Sequence, residues 1–501
     1  MAQATKAKKL SSGPTRHVYD VIVLGGQLGG PLAAALLAKR NHRVLYVDHD
    51  GLGPGYEHGE WLLPYSPFVS PQLKSMPVVD DALVELGIHT TVQRALRPHE
   101  PALQLVLPKH RLDLHADEAK RLAELTREFG EAGARVSAAL SRMVAQHEQS
   151  DRFFKYIDLP PVGLFGPWKL RREIGRRPEL RETPALEGQG DPEKLVRELL
   201  PFVTWLDAPE TPLAQTRPLS QVLKSPSHWP GGRDGLRELL VRRLIDLGGD
   251  VVSRETSDAW IAEQLNFEGR KLAGVQLLQS KTVFRAGAFI AATDSGALRR
   301  LIPDKKHHRR LTALFDLVET KRYLFTVNWV LAEELLPRGM GELVLTRGQD
   351  ELGTMLVQLY PARKANGEED PKLRVVCAGV FVPAGTRDLG EAHLEALKAR
   401  IELELERLIP FARGRLQLSS APYLDAGSVR GSRLLPHPLL SIDTESFAGI
   451  TGIGPKTPVK NLFLASREVL PGLGFEGELL AGIRAARLVQ QTLHKKNPLK
   501  R

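Results

Sequence analysis

The chain has 501 residues, of which 42% are hydrophobic and 26% charged, and a formal net charge of +10; this is enough chain for about two or three core-forming units and excludes a disordered or collagen-like protein. A single cysteine, Cys377, excludes an intrachain disulfide and a cysteine-held metal cluster, and fits a reducing compartment. The basic residues are spread out, without the aromatic interleaving of a nucleic-acid motif, so nucleic acid is set aside in favour of a solvated basic surface, an anionic membrane face or an acidic cofactor.

Residues 1–17 are polar and basic and lack the apolar core of a signal peptide, which predicts a disordered tail on a cytoplasmic protein. The stretch YDVIVLGGQLGGPLAAALLAKRNHRVLYVDHD then reads as strand (21–24), glycine turn (25–30), helix (31–39) with Pro31 in its first turn, strand (43–47) and an acid, Asp48. Such a βαβ start aims a helix N-terminus at a pyrophosphate and the acid at a ribose hydroxyl. Against the pattern G-x-G-x-x-G, Gly25 is the first glycine and Gly30 the last, while Gln27 replaces the middle one. A side chain at that point either crowds a dinucleotide or turns aside. The competing reading is an ordinary βαβ unit whose glycines serve helix–strand packing. The apolar run 21–38 is broken by glycine, and is strand, turn and helix rather than a membrane span.

Residues 50–68 are a Gly- and Pro-rich loop, 102–107 and 111–114 a hairpin, and 117–146 one long amphipathic helix carrying Leu122, Leu125, Phe129, Val136 and Leu140. LPPVGLFGPW (159–168) is an apolar, proline-broken segment followed directly by KLRREIGRRPELR. Its aromatics beside Lys169, Arg171, Arg172, Arg176 and Arg177 suit peripheral contact with the inner face of a membrane; burial in an insert domain is the alternative. WPGGRDG opens a helix to residue 247, followed by strands at 250–253, 274–278, 282–285 and 288–292 and a helix at 295–301. His307 and His308 are adjacent, a poor spacing for metal ligation, and no metal site is expected. Strands at 323–331, 343–345, 355–360 and 373–382 and a helix at 391–408 follow. The last block, VKNLFLASREVLPGLGFEGELLAGIRAARLV, reads as strand (461–465), glycine loop (471–477) and a helix from 478. A second helix N-terminus approaching a ligand explains those glycines, and so does a packing helix with a tight turn before it.

Three blocks in this order, VIVLGGQLGG…VLYVDHD, WPGGRDGLRELLVRRLIDLGGDVV…AFIAATD and NLFLASREVLPGLGFEGELLAGIRAA, resemble the flavin-dependent carotenoid (phytoene) desaturase family, within the FAD-binding amine oxidase and glutathione-reductase-type superfamily. The resemblance implies an α/β fold: a Rossmann-like FAD-binding domain with a parallel central sheet, from 18–64, 228–300 and 425–495, and an inserted α+β substrate domain from 65–227 and 301–424. It implies noncovalent FAD, with Gly25, Gly26, Gln27, Leu28, Gly29 and Gly30 at the pyrophosphate, Asp48 at the ribose and Ala259 near the adenine. Arg467 falls at the family's Gly-Asp or Gly-Glu position, with Glu468 one place later, and Gly472, Gly474, Phe475 and Glu476 would line the isoalloxazine through backbone N–H groups. The implied activity is FAD-dependent desaturation or isomerisation of a lipophilic substrate, polyenes included. A flavin amine oxidase is the enzymatic alternative, and a flavin-free binding protein, as in the Rab escort and GDP-dissociation-inhibitor relatives, is the other. Two departures accompany Gln27: Gly53-Pro54-Gly55-Tyr56 stands where the family has Gly-Gly-Arg, and Ser466-Arg467 where it has Gly-Asp or Gly-Glu. No catalytic residue is identifiable from the sequence.

Overall fold

The computed structural model of the chain describes residues 14–51, 55–163, 165–181, 197–253, 261–278, 280–305, 308–348, 352–425 and 435–494. Unbroken apolar runs such as VIVL and VLYV suit strands buried on both faces, as in a parallel sheet. They form β1 (Val18–Leu24) and β2 (Val44–Asp48), which run parallel side by side. With β3 (Asp250–Ser253), β4 (Ala262–Glu268), β5 (Lys271–Leu277), β6 (Ser280–Ala291) and β7 (Leu462–Leu464) they make a seven-stranded sheet. Its order is β4-β5-β6-β1-β2-β3, with β7 on the free flank of β6. The contacts of β1 with β2 and β6, of β2 with β3, and of β6 with β7 are all parallel. Their carboxyl ends therefore share one edge, where open α/β sheets bind ligands.

The second sheet has ten strands. Its centre is the antiparallel set Val318–Ala332, Glu369–Pro383, Thr354–Lys364 and Leu343–Arg347. Leu343–Arg347 pairs in parallel with Leu103–Val106, the first arm of the expected hairpin, whose second arm is Arg111–Leu114. Helices α1 (Gly29–Lys39), α2 (Glu118–Phe129), α3 (Glu131–Tyr156), α4 (Gly166–Gly175), α5 (Pro212–Leu223), α6 (Gly232–Asp246), α7 (Ser295–Arg300), α8 (Glu391–Leu408) and α9 (Gly474–His494) cover or connect the sheets. Among the described residues no helix is long and apolar enough to cross a membrane.

Several expected elements differ. The stretch 50–68, expected as a loop, holds the antiparallel strands Tyr56–His58 and Trp61–Leu63, the second of which pairs with Thr354–Lys364. The single helix at 117–146 is two, because Gly130 takes a left-handed φ of 57° and turns the chain. The two helices then close on each other: a Cβ on Gly133 would lie 1.9 Å from the Leu125 carbonyl oxygen. The strands at 282–285 and 288–292 are one strand, β6, of 12 residues. The C-terminal helix starts at Gly474 rather than 478, so Phe475, Glu476 and Gly477 belong to its first turn.

Helix α1 is buried from Gly29 to Ala38, as an all-round apolar helix must be. Small residues let α9 approach it backbone to backbone. A Cβ on Gly482 would lie 2.3 Å from the Gly29 carbonyl oxygen, and one on Gly29 would lie 2.8 Å from that of Glu478. Gly482→Val should therefore lower stability by about 3 kcal/mol or more, since backbone has to move. Gly296→Ala, in α7 with open space around it, should be neutral or gain about 0.5 kcal/mol. Urea unfolding midpoints of the two variants measure the contrast.

Candidate functional site

At the shared edge the glycine turn after β1 is bonded within the protein. Gly25 has φ 104°, and a Cβ there would lie 2.3 Å from the Ala292 carbonyl oxygen. Gly25 N donates to Val47 O at 2.9 Å and Gln27 N to Ala292 O at 3.1 Å. Gly26 N donates to an Asp50 carboxylate oxygen at 2.6 Å, and Leu28 N to Glu478 Oε1 at 2.5 Å. Glu478, from α9, is fully buried and also ion-paired with Arg233 of α6. Asp50 also accepts from the Thr293 hydroxyl.

Gln27 does not turn aside. Its Nε2 donates to Asp294 at 2.7 Å, and its Oε1 accepts from the Arg467 backbone N–H at 2.8 Å. The side chain thus joins the glycine turn to the segments following β6 and β7. Asp48 ends β2, but its carboxylate turns inward to Arg237 and is buried. Gly51 covers it: a Cβ on Gly51 would lie 2.0 Å from Asp48 Oδ1.

The glycines before and in α9 have packing causes. A Cβ on Gly472 would lie 2.7 Å from the Gly449 carbonyl oxygen, and one on Gly474 2.0 Å from that of Val203. Trp205 braces the same turn, with its backbone N–H on Pro471 O and its Nε1 on Gly474 O at 2.9 Å. Glu476 faces away from the edge and is fully buried. Arg217 of α5 grips it through Nε and Nη2, each at 2.7 Å, and Gln221 adds a bond at 2.9 Å. Arg217 also pairs with Asp151 of α3 at 2.9 Å. This network ties three helices together.

Between the two sheets lies a cavity of about 1160 Å³. Of the residues expected at the site, Gly26, Gln27, Arg467, Glu468, Gly474 and Phe475 line it. Gly25, Leu28, Gly29, Gly30, Asp48, Gly472 and Glu476 do not, and Ala259 lies outside the described residues. The remaining wall is mixed: aromatic rings such as Phe68, Trp205 and Tyr360 alternate with charged side chains, among them Arg94, Arg299 and Arg387. Phe68 meets Phe475 edge-on at 5.2 Å, Trp205 packs at a 42° tilt against His437 at 4.4 Å, and the Arg467 guanidinium lies 4.6 Å over the Trp205 ring. Burial pulls the His437 imidazole down to about 4, so it is neutral at pH 7. Burial, and then the charge of Asp294, push the Glu468 carboxyl up to about 8, against hydrogen bonds from Ser295 that favour its ionised form. Among the described residues no cluster of three or more His, Cys, Asp or Glu side chains could hold a metal ion.

Sequence reasoning missed Arg233, Arg237, Arg217, Asp50 and Glu478. A signal for Glu478 was present: it is a charge inside an otherwise small and apolar helix start, GELLAGI.

No protein-family model matches the chain, and no curated protein matches its sequence. Solved structures do match in fold. Cyclohexylamine oxidase from Brevibacterium oxydans IH-35A superposes with a TM-score of 0.57 at 15% identity, over 95% of this chain and 99% of that one. Wild-type putrescine oxidase bound to putrescine gives 0.57 at 15% identity, over 95% and 99%. RAB GDI from Plasmodium falciparum gives 0.51 at 12% identity, over 94% and 97%. The chain has the mixed α/β fold, with parallel sheet, of the FAD-binding amine oxidases.

That fold places the pyrophosphate of FAD on free N–H groups at the amino end of α1. Here Gly26 N and Leu28 N are already held by carboxylates, and Gln27 N by a carbonyl. A phosphate arriving there would meet two anions and take one of the two donors of a fully buried glutamate, leaving it Arg233. The residues present do not fit FAD in that mode. The carboxylate of Asp48, expected at the ribose, is held by Arg237, and that of Glu476 by Arg217.

Two measurements follow from the buried ions. Arg217→Met leaves Glu476 buried without its cation, and should cost about 3–5 kcal/mol in denaturant unfolding; adding Glu476→Met should restore most of it. Glu468 has its folded pKa raised from the ordinary carboxylate value, so its contribution is present at acid pH and is lost as pH rises towards about 8. Glu468→Gln should flatten that part of the stability–pH profile and make the protein more stable than wild type at the alkaline end.

Proposed function

We propose that this chain is a small-molecule binding protein built on the FAD-binding amine oxidase fold, holding a lipophilic ligand in the cavity between its two sheets without a flavin. The observation that carries this reading is the engagement of the turn's N–H groups by Asp50, Ala292 and Glu478. The cavity supplies the rest. Phe68 and Phe475 offer apolar surface to an extended ligand, with Trp205 and the neutral His437 as further rings at the wall. Arg467 and Glu468 offer polar anchor points at the deep, sheet-edge end.

A second reading keeps the enzyme: an FAD-dependent oxidoreductase of a lipophilic substrate, a polyene or an amine. Its support is the reach of the same cavity to Gly474 and Phe475 at the start of α9, where a helix N-terminus favours negative charge. It requires Gln27 and Glu478 to leave their partners.

The absorption spectrum of the purified protein, with equilibrium dialysis against FAD and fluorescence titration with the polyene cis-parinaric acid, separates the two. The expected result is a colourless protein that retains no FAD and binds the polyene, with Phe68→Ala weakening that binding by about three- to tenfold. Retention of one FAD per chain would overturn the flavin-free reading and support the enzyme.

A further inference from the structure

Helix α4 and the end of α3 present an aromatic and cationic face that the described residues leave exposed. Tyr156, Phe165 and Trp168 are 84%, 80% and 59% exposed. Three large apolar side chains this exposed within so short a stretch call for a partner. Phe165, Trp168 and Arg172 follow one another at helical spacing, with Lys169 and Arg176 beside them, on the side of α4 opposite its buried Leu170. The apolar segment before α4 divides: Leu159 is buried in the core and Val162 half-buried, while Leu164 lies outside the described residues.

The face is anchored rather than loose. Leu170 holds α4 to the core, Arg171 is ion-paired with Glu445, and the Arg177 guanidinium lies over the Phe153 ring of α3 at 5.9 Å. Its charge is one-sided: residues 152–181 carry eight basic and three acidic side chains, net +5. Asp158 faces Arg484 and Arg487, and Glu173 faces Arg176 and Arg177. The Arg172 guanidinium lies 5.6 Å over the Trp168 ring, so charge and aromatic surface are presented together.

We propose that this face docks on an anionic phospholipid bilayer, with Phe165 and Trp168 entering the headgroup boundary and Lys169, Arg172 and Arg176 meeting lipid phosphates. No described residue between 98 and 201 lines the cavity, so the contact positions the protein on the membrane and is not a ligand doorway. The proposal is independent of what the cavity holds.

Co-sedimentation of the full chain tests it, using phosphatidylcholine vesicles with and without about one-third phosphatidylserine, at low and high salt. Binding is expected only to the anionic vesicles and only at low salt. Arg172→Glu should weaken it by at least about fivefold, the equivalent of about 1 kcal/mol per basic residue at such a surface. Phe165→Ser/Trp168→Ser, both at exposed positions, should abolish it while leaving the melting temperature unchanged. No binding to anionic vesicles at low salt, equal binding to neutral vesicles, or full binding by the aromatic double variant would each overturn the proposal. So would a concentration-dependent dimer in gel filtration that the double variant loses, which would assign the face to a second copy of the chain.

Discussion

The carboxylate of Glu478 on the amino end of α1 is the interaction around which the first layer is set. It answers the positive end of one buried helix with a charge from another, and Arg233 brings in a third. The close passage of Gly29 against Gly482 makes it possible, because only backbone-to-backbone approach brings a side chain of α9 so near the turn. The segments leaving β1, β2, β6 and β7 are then drawn to the same place. Asp50 caps Gly26, Gln27 bridges Asp294 and Arg467, and Trp205 clamps the turn before α9. A helix N-terminus can be satisfied by a ligand or by the protein, and here the protein does it.

This separates two features that usually travel together. The architecture is the mixed α/β fold, with parallel sheet, of the FAD-binding amine oxidases. The chemistry at the edge is that of a packed interior. A fold records how layers cover one another, whereas function resides in particular side chains, and at 15% identity the two have had room to diverge.

Much of the fold was legible because its signals are local. Continuous apolar runs gave the parallel strands, glycine and proline marked the turn, and α8 appears with the expected bounds Glu391–Leu408. The break at Gly130 was missed because the apolar spacing continues across it and only its backbone angle ends the helix. The site was less legible. Gly472 and Gly474 read equally well as ligand-approach or packing glycines until the backbone at Gly449 and Val203 is seen against them. Asp48 sits where a nucleotide-binding pattern wants an acid, but its partner Arg237 lies 189 residues away in sequence, and Arg217, the partner of the Glu476 carboxylate, 259 residues away. Ion pairs over such separations leave no periodic trace.

The bridging of Gln27 between Asp294 and the Arg467 backbone has a biological corollary. Proteins whose glycine turn waits for a dinucleotide depend on cofactor supply to complete their fold, and their apo forms are the ones cellular proteases find first. In this chain the turn is finished during folding by residues of its own. On the flavin-free reading proposed above, its abundance would be indifferent to the vitamin status of the cell.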